Sequence, residues 1–183
     1  MKKPHSKWLN EIATCLQSVD DSLLSLAAGT ILRAGAVVTA GNGGSASLAS
    51  HFAQAVMKPD YAAGGAARAA ACITDAAPTF TAHANDGGWR TAMLETAKPI
   101  LAAVPRCAVV LFSSSGRSEN VVALAEYARI GHHPVVAFTG FAGRPLRDLA
   151  DVSFHVDSDD YEVVEPVHSA LMHRVQYHLR DLA

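Results

Sequence analysis

A chain of 183 residues that is 50% hydrophobic and 17% charged can bury one sizeable core, and its length suits one domain better than two. Fifteen basic and 17 acidic residues leave a formal net charge of -2, which argues against a nucleic-acid binder or a protein held on anionic lipid. The three cysteines, Cys15, Cys72 and Cys107, are odd in number and far apart, so neither a disulfide framework nor a thiolate zinc site is expected. No apolar run approaches the roughly 20 residues of a membrane helix, and polar residues from His5 to Glu11 interrupt any signal-peptide core. The expectation is a cytoplasmic protein without membrane contact.

From the N-terminus, Trp8, Leu9, Ile12, Leu16, Val19, Leu23 and Leu26 recur at spacings of three and four, which predicts one long amphipathic helix over 8–32. Such a helix needs a partner surface, from its own domain or from another subunit, so residues 1–34 read as a packing or oligomerisation segment. Short apolar runs bounded by turn residues follow at 36–40, 69–74, 108–113, 135–139 and 152–156, suited to parallel strands buried on both faces. Helices are expected at 45–57, 88–103, 118–129 and 165–182, a short turn near 144–149, and a loop over the Ala/Gly-rich stretch 62–71. This alternation predicts an α/β fold: a doubly wound five-stranded parallel sheet flanked by helices, one domain over 1–183, with ligands at the carboxyl ends of the strands.

Two loops at such strand ends carry chemistry. Gly41-Asn42-Gly43-Gly44-Ser45 joins the first strand to a helix; its glycines allow close backbone approach and the helix N-terminus favours an anion, with Asn42 and Ser45 adding side-chain hydrogen bonds. The same glycines satisfy a loose dinucleotide fingerprint. That alternative needs an acidic residue about 20 positions on, after the second strand. Asp60 precedes the strand and Asp75 comes late, which counts against it. The second loop, Ser113-Ser114-Ser115-Gly116-Arg117-Ser118, gathers four hydroxyls, neutral donors suited to a terminal phosphate. Asp157, Asp159 and Asp160 read as a solvated stretch leading into the last helix, and His132, His133 and His155 as structural.

Gly-Asn-Gly-Gly-Ser followed by His51, then Asn85-Asp86-Gly87, the Ser-x-Ser-Gly-x-Ser loop, Thr139-Gly140 and a closing helix with Glu165, His168 and His173 resembles the phosphoheptose isomerases of the sugar-isomerase (SIS) type. The resemblance covers essentially the whole chain. It implies a phosphosugar-binding SIS fold, a homotetramer, and conversion of sedoheptulose 7-phosphate into a manno-heptose 7-phosphate through an enediol. It also implies Asn42, Gly43, Ser45, Asp86, Ser113, Ser114, Ser115 and Ser118 as substrate-binding residues. The family pattern places a His and a Glu four apart on the first loop's helix, and a Gln and a His eight apart on the last helix, often around zinc. His51 and His173 match, whereas the Glu position is Ala55 and the Gln position is Glu165.

The usual base is therefore missing. Glu165, on nearly the same helical face as His173, is its expected replacement, placed at the helix start by Pro166 in the first helical position. His168, three residues on, is an alternative partner for that carboxylate. His51, Glu165 and His173 would also make a three-ligand metal set with an open position. The family's fourth ligand is gone, so no cofactor is fixed by the sequence and zinc stays an alternative. Two other readings remain. Relatives that keep the sugar-phosphate loops without the acid–base residues act as regulators, such as the protein that assembles the bacterial replication initiator. An isomerase of another phosphosugar in a capsule or natural-product pathway would also suit a rearranged base set.

Overall fold

The computed structural model describes residues 3–58 and 67–182. Five strands, β1 (Ala36–Gly41), β2 (Ala70–Cys72), β3 (Cys107–Ser113), β4 (Val135–Thr139) and β5 (Val152–His155), form one parallel sheet in the order β2-β1-β3-β4-β5. All five expected strands are present. Alternate strand residues feed two separate cores, as a period of two requires. Val37, Val110, Phe112, Val136, Phe138 and Phe154 point to one layer, and Val38, Val109, Leu111, Val135 and Ala137 to the other. Phe112, Phe138 and Phe154 are direct register partners and stack at 4.4 and 4.8 Å, so one row of rings ties three strands together.

Helices α1 (His5–Gln17), α2 (Asp21–Leu32), α3 (Gly44–Met57) and α8 (Tyr161–Asp181) lie with the first core. Helices α5 (Trp89–Ala103), α6 (Glu119–Ile130) and the short α7 (Leu146–Leu149) cover the second. The N-terminal helical segment is two helices rather than one. Asp20 interrupts it by accepting from the Ser22 N–H at 2.7 Å, capping α2. The partner surface comes from the chain itself: α2 buries Leu24, Ala27, Ala28 and Ile31, while α1 buries no residue fully and rests Trp8, Ile12 and Leu16 on the same core.

Helix α4 (Ala77–Gly87), preceded by a 3-10 turn at Ile73–Asp75, was not expected. It also buries no residue, so no apolar stripe marks it in the sequence. The last helix starts four residues earlier than its proline suggests. Asp160 is the true cap, accepting from the Glu162 N–H at 3.0 Å, and Pro166 sits inside the helix. A proline has no N–H for the carbonyl four residues back. The freed Glu162 carbonyl accepts instead from the Trp8 indole N–H at 2.8 Å, which docks α1 on α8. Lys3 reinforces the contact by pairing with both Glu11 and Asp160. Among the described residues no helix is long and apolar enough to cross a membrane. Of the expected loop at 62–71, residues 62–66 lie outside the described residues, as does Asp60; 67–69 carry no regular structure and 70–71 already belong to β2.

Candidate active site

The sheet order reverses between β1 and β3, so the loops leaving these two neighbouring strands flank one crevice at their carboxyl ends. The glycine loop leads from β1 into α3, with Gly43 (φ 54°) before the first helical residue. Its carbonyl accepts from Ala46 at 3.0 Å and Ser47 at 3.3 Å, which leaves the Gly44 and Ser45 N–H groups ahead of the intrahelical ladder. The serine loop leads from β3 into α6. Gly116 (φ 67°) makes its turn possible, because a Cβ there would stand 2.1 Å from the Gly143 carbonyl oxygen.

Between the loops lies a pocket of about 170 Å³. Asn42 and Ser45 line it from one side and Ser113, Ser114, Ser115 and Ser118 from the other. Ser113 Oγ reaches Ser118 Oγ at 3.4 Å, and Ser115 Oγ accepts from the Arg117 N–H at 3.2 Å. Ser114 differs. Only 4% exposed, its Oγ has no hydrogen-bond partner, although its carbonyl accepts from Gly140 N–H at 2.7 Å and fixes it to the end of β4. A buried hydroxyl left unpaired beside a cavity costs stability until a polar ligand arrives. Tyr161 and Glu165, from α8, complete the wall. The Glu165 carboxylate lies against the first turn of α3, so close to Gly44 that a Cβ there would stand 2.6 Å from Oε2.

Residues 7–140 match the model of the SIS domain. A probable phosphoheptose isomerase of Thermoplasma acidophilum is 33% identical over 140 residues, covering 76% of this chain and 75% of that protein. The chain belongs to the SIS-domain phosphoheptose isomerase family. A lincomycin biosynthesis protein of Streptomyces lincolnensis is 37% identical over 143 residues, or 75% of this chain, which spans about half (51%) of that longer protein. The fold of a phosphoheptose isomerase from Francisella tularensis superposes with a TM-score of 0.83 at 22% identity, covering 94% of this chain and 92% of that one.

Two further residues that the SIS resemblance singles out, His51 and His173, lie apart from the serine pocket. His51 on α3 and His173 on α8 are both exposed and meet edge to face, ring centroids 4.9 Å apart. Gly44 meets Glu165 seven residues before His51 meets His173 eight residues on, so α3 and α8 run side by side in the same direction. At 1.5 Å per residue the two contacts lie about 10–12 Å apart. Beginning at Ala46 and Ser47, just past Ser45, an open trough of about 520 Å³ runs by His51, Gln54, Thr74 and Asp75. Asp75 is held there by the Ser50 hydroxyl at 2.7 Å.

The three residues of the alternative metal set, His51, Glu165 and His173, are not brought together, because Glu165 turns to Gly44 two helical turns from the histidines. No group of three or more His, Cys, Asp or Glu side chains suited to a metal occurs among the described residues. Glu165 is not a helix-start residue, and His168 does not pair with it. Buried completely on the sheet side of α8, His168 donates from Nε2 to the Thr139 carbonyl at 3.1 Å. Burial is the main cause that pushes its pKa down to about 4. Asp86 is exposed at the end of α4, bonded to Asn85 at 2.9 Å, and does not line the serine pocket. His133 and His155 are structural as expected: His133 Nδ1 accepts from the Cys107 N–H at 3.1 Å and His155 Nδ1 meets Thr139 Oγ1 at 3.1 Å. The sequence offers no signal for Tyr161 or Asn120, and raises Asp75 only as a late ribose contact rather than as part of the trough. Asn120, at 0% exposure, pairs its side-chain amide with that of Asn42.

Proposed function

We propose that this chain is a phosphosugar aldose–ketose isomerase that converts sedoheptulose 7-phosphate into D-glycero-D-manno-heptose 7-phosphate through an enediol. The observation that carries the reading is one pocket holding the unpaired Ser114 hydroxyl, the other serines and a carboxylate, Glu165, in a chain whose usual base position is Ala55. The phosphate binds the serine hydroxyls and the first N–H groups of α3 and α6. At 170 Å³ the pocket holds only part of the substrate, and the rest lies along the α3–α8 groove between Glu165 and the His51–His173 pair. A base removes a proton from C1 of the ketose while the C2 oxygen is protonated, giving the enediol. Loss of the C1 hydroxyl proton and protonation at C2 then give the aldose. Glu165, His51 and His173 are the acid–base set, with Asn42, Gly43, Ser45, Ser113, Ser114, Ser115 and Ser118 binding substrate; Asp86, exposed at the end of α4, is not counted among them. No step is assigned to zinc, since the residues of the alternative metal set do not converge within the described residues. The chain works as one SIS domain, in a homotetramer, in the cytoplasm.

The test is turnover of sedoheptulose 7-phosphate by purified protein, followed by a stereospecific product assay, with Glu165→Gln and Asp75→Asn beside the wild type. Loss in Glu165→Gln with phosphosugar binding retained supports Glu165 as base. Loss only in Asp75→Asn moves the base to the trough. No wild-type turnover with binding intact favours a phosphosugar-responsive regulator. The likeness to a lincomycin biosynthesis protein favours a second reading, the same isomerisation on another phosphosugar in a natural-product pathway. Faster turnover of a phosphosugar of different chain length would establish it.

A further inference from the structure

We infer that Asn120 is a positioning residue of the phosphate site, which fixes which way round the Asn42 amide faces so that Asn42 offers the ligand an N–H. This rests on the phosphosugar reading above. Asn42 follows the end of β1, and Asn120 is the second residue of α6, so their contact spans the crevice between the two phosphate loops. Asn42 Nδ2 donates to Asn120 Oδ1 at 2.9 Å and Asn120 Nδ2 donates to Asn42 Oδ1 at 3.0 Å, a closed ring of two amide bonds.

Such a ring has no polarity of its own. Turning both amides over exchanges every donor for an acceptor and keeps both bonds. The polarity is set by a third bond, from the Val121 backbone N–H to Asn120 Oδ1 at 3.0 Å. With the ring reversed, the Asn120 Nδ2 group would face that N–H, donor against donor, in a residue with no solvent exposure. Val121 thus orients Asn120, and Asn120 orients Asn42. The Asn42 oxygen and one Nδ2 hydrogen are taken up by the ring, and the second Nδ2 hydrogen remains for the pocket that Asn42 lines. Reversed, Asn42 would show the pocket an oxygen lone pair, which repels a phosphate. The bridge also holds the α3 and α6 N-termini at one separation, so both sets of first-turn N–H groups converge on one anion.

The experiment measures binding of inorganic phosphate and of sedoheptulose 7-phosphate by calorimetry, with thermal stability in parallel. It uses the full chain as wild type, Asn42→Ala, Asn120→Ala, the double variant, Asn120→Asp and the Ser115→Ala/Ser118→Ala control. Asn120→Ala is expected to weaken both ligands about tenfold, Asn42→Ala about as much, and the double variant no more than either, because the two act as one unit. Asn120→Asp keeps the acceptor for Val121 and the side-chain size but lacks the donor to Asn42 and adds negative charge, so it weakens binding at least as far. It also answers the question if Asn120→Ala does not fold. The inference is overturned if a folded Asn120 variant changes only thermal stability and binds within about twofold of wild type, or if the Asn42 and Asn120 effects add. Should the serine control bind as well as wild type, the phosphate site itself is misassigned and the inference falls with it. Loss in the serine control without loss in the Asn120 variants refutes the inference alone.

Discussion

Acidification from pH 7 to 5 should destabilise this protein through His168. The imidazole is fully buried between α8 and the sheet, edge-on to Phe112 and Phe138, with its pKa pushed by burial from 6.5 to about 4. Its folded-state pKa is lowered, so between these values the unfolded chain binds the proton that the folded chain refuses. The associated stability is complete above pH 6.5 and is lost as pH falls toward 4. Linkage gives a loss of about 2 kcal/mol between pH 7 and pH 5, in a range where carboxylates with ordinary pKa values contribute only a few tenths. His133 and His155, whose pKa values burial also lowers, act with the same sign. The His168→Phe variant isolates the His168 part. It removes the hydrogen bond to the Thr139 carbonyl, worth about 1 kcal/mol, but that oxygen keeps its bond from the Val156 N–H at 2.8 Å. It also removes the buried Nδ1, which has no partner. Urea unfolding of both proteins at the two pH values should show the variant close to wild type at pH 7 and losing about 2 kcal/mol less by pH 5. Equal losses would refute the account of His168 as a buried neutral imidazole.

Other outcomes follow from the site. Glu165→Gln should abolish turnover without weakening phosphosugar affinity, since no phosphate donor is lost and a negative charge is removed from the pocket; unchanged turnover would take Glu165 out of the mechanism. Ser115→Ala/Ser118→Ala should weaken phosphosugar binding by tenfold or more, checked by calorimetry. Gly116→Ala should destabilise the fold by more than about 2 kcal/mol, combining a positive φ with a Cβ 2.1 Å from the Gly143 oxygen, as read by denaturant midpoint. Trp8→Phe should cost about 1 kcal/mol, and less when Pro166→Ala supplies a helical N–H to the Glu162 carbonyl, a coupling that a double-mutant cycle would measure.

Apolar runs such as Cys107–Ser113, buried at every position, state a central parallel strand in the sequence itself, and strand alternation with helices then dictates which loops face the ligand. That is why the sheet and the two loops that flank its crevice were legible. The break at Asp20 was not, because Leu16, Val19 and Leu23 keep helical spacing straight across it. Pro166 misplaced the start of α8, since a proline inside a helix reads as one at its first turn unless the carbonyl it frees is seen to find another donor. The catalytic geometry was the least legible. A spacing of eight puts Glu165 and His173 on nearly one face, but only the packing of α3 against α8 decides that they meet different neighbours. Asn120 carries no signal beyond a polar residue at a helix start; its partner lies 78 residues away.

The docking of α1 on the carbonyl that Pro166 frees has a consequence for how the molecule opens. Helix α1 contributes no fully buried side chain, and its polar anchors are the indole bond, the Lys3–Asp160 ion pair and the bond that Ser158 Oγ donates to Glu11 at 3.0 Å, all near the surface. Its release uncovers only partly buried side chains, Trp8, Ile12, Cys15 and Leu16, and strips no hydrogen bond from the α8 ladder, because the Glu162 carbonyl was never part of that ladder. Amide protons of α1 should thus exchange through a local opening of low free energy, well below that of α2, whose Leu24, Ala27 and Ile31 sit in the core. The serine pocket stays closed to that motion, since Tyr161 and Glu165 are held by a helix that Asp160 caps on its own.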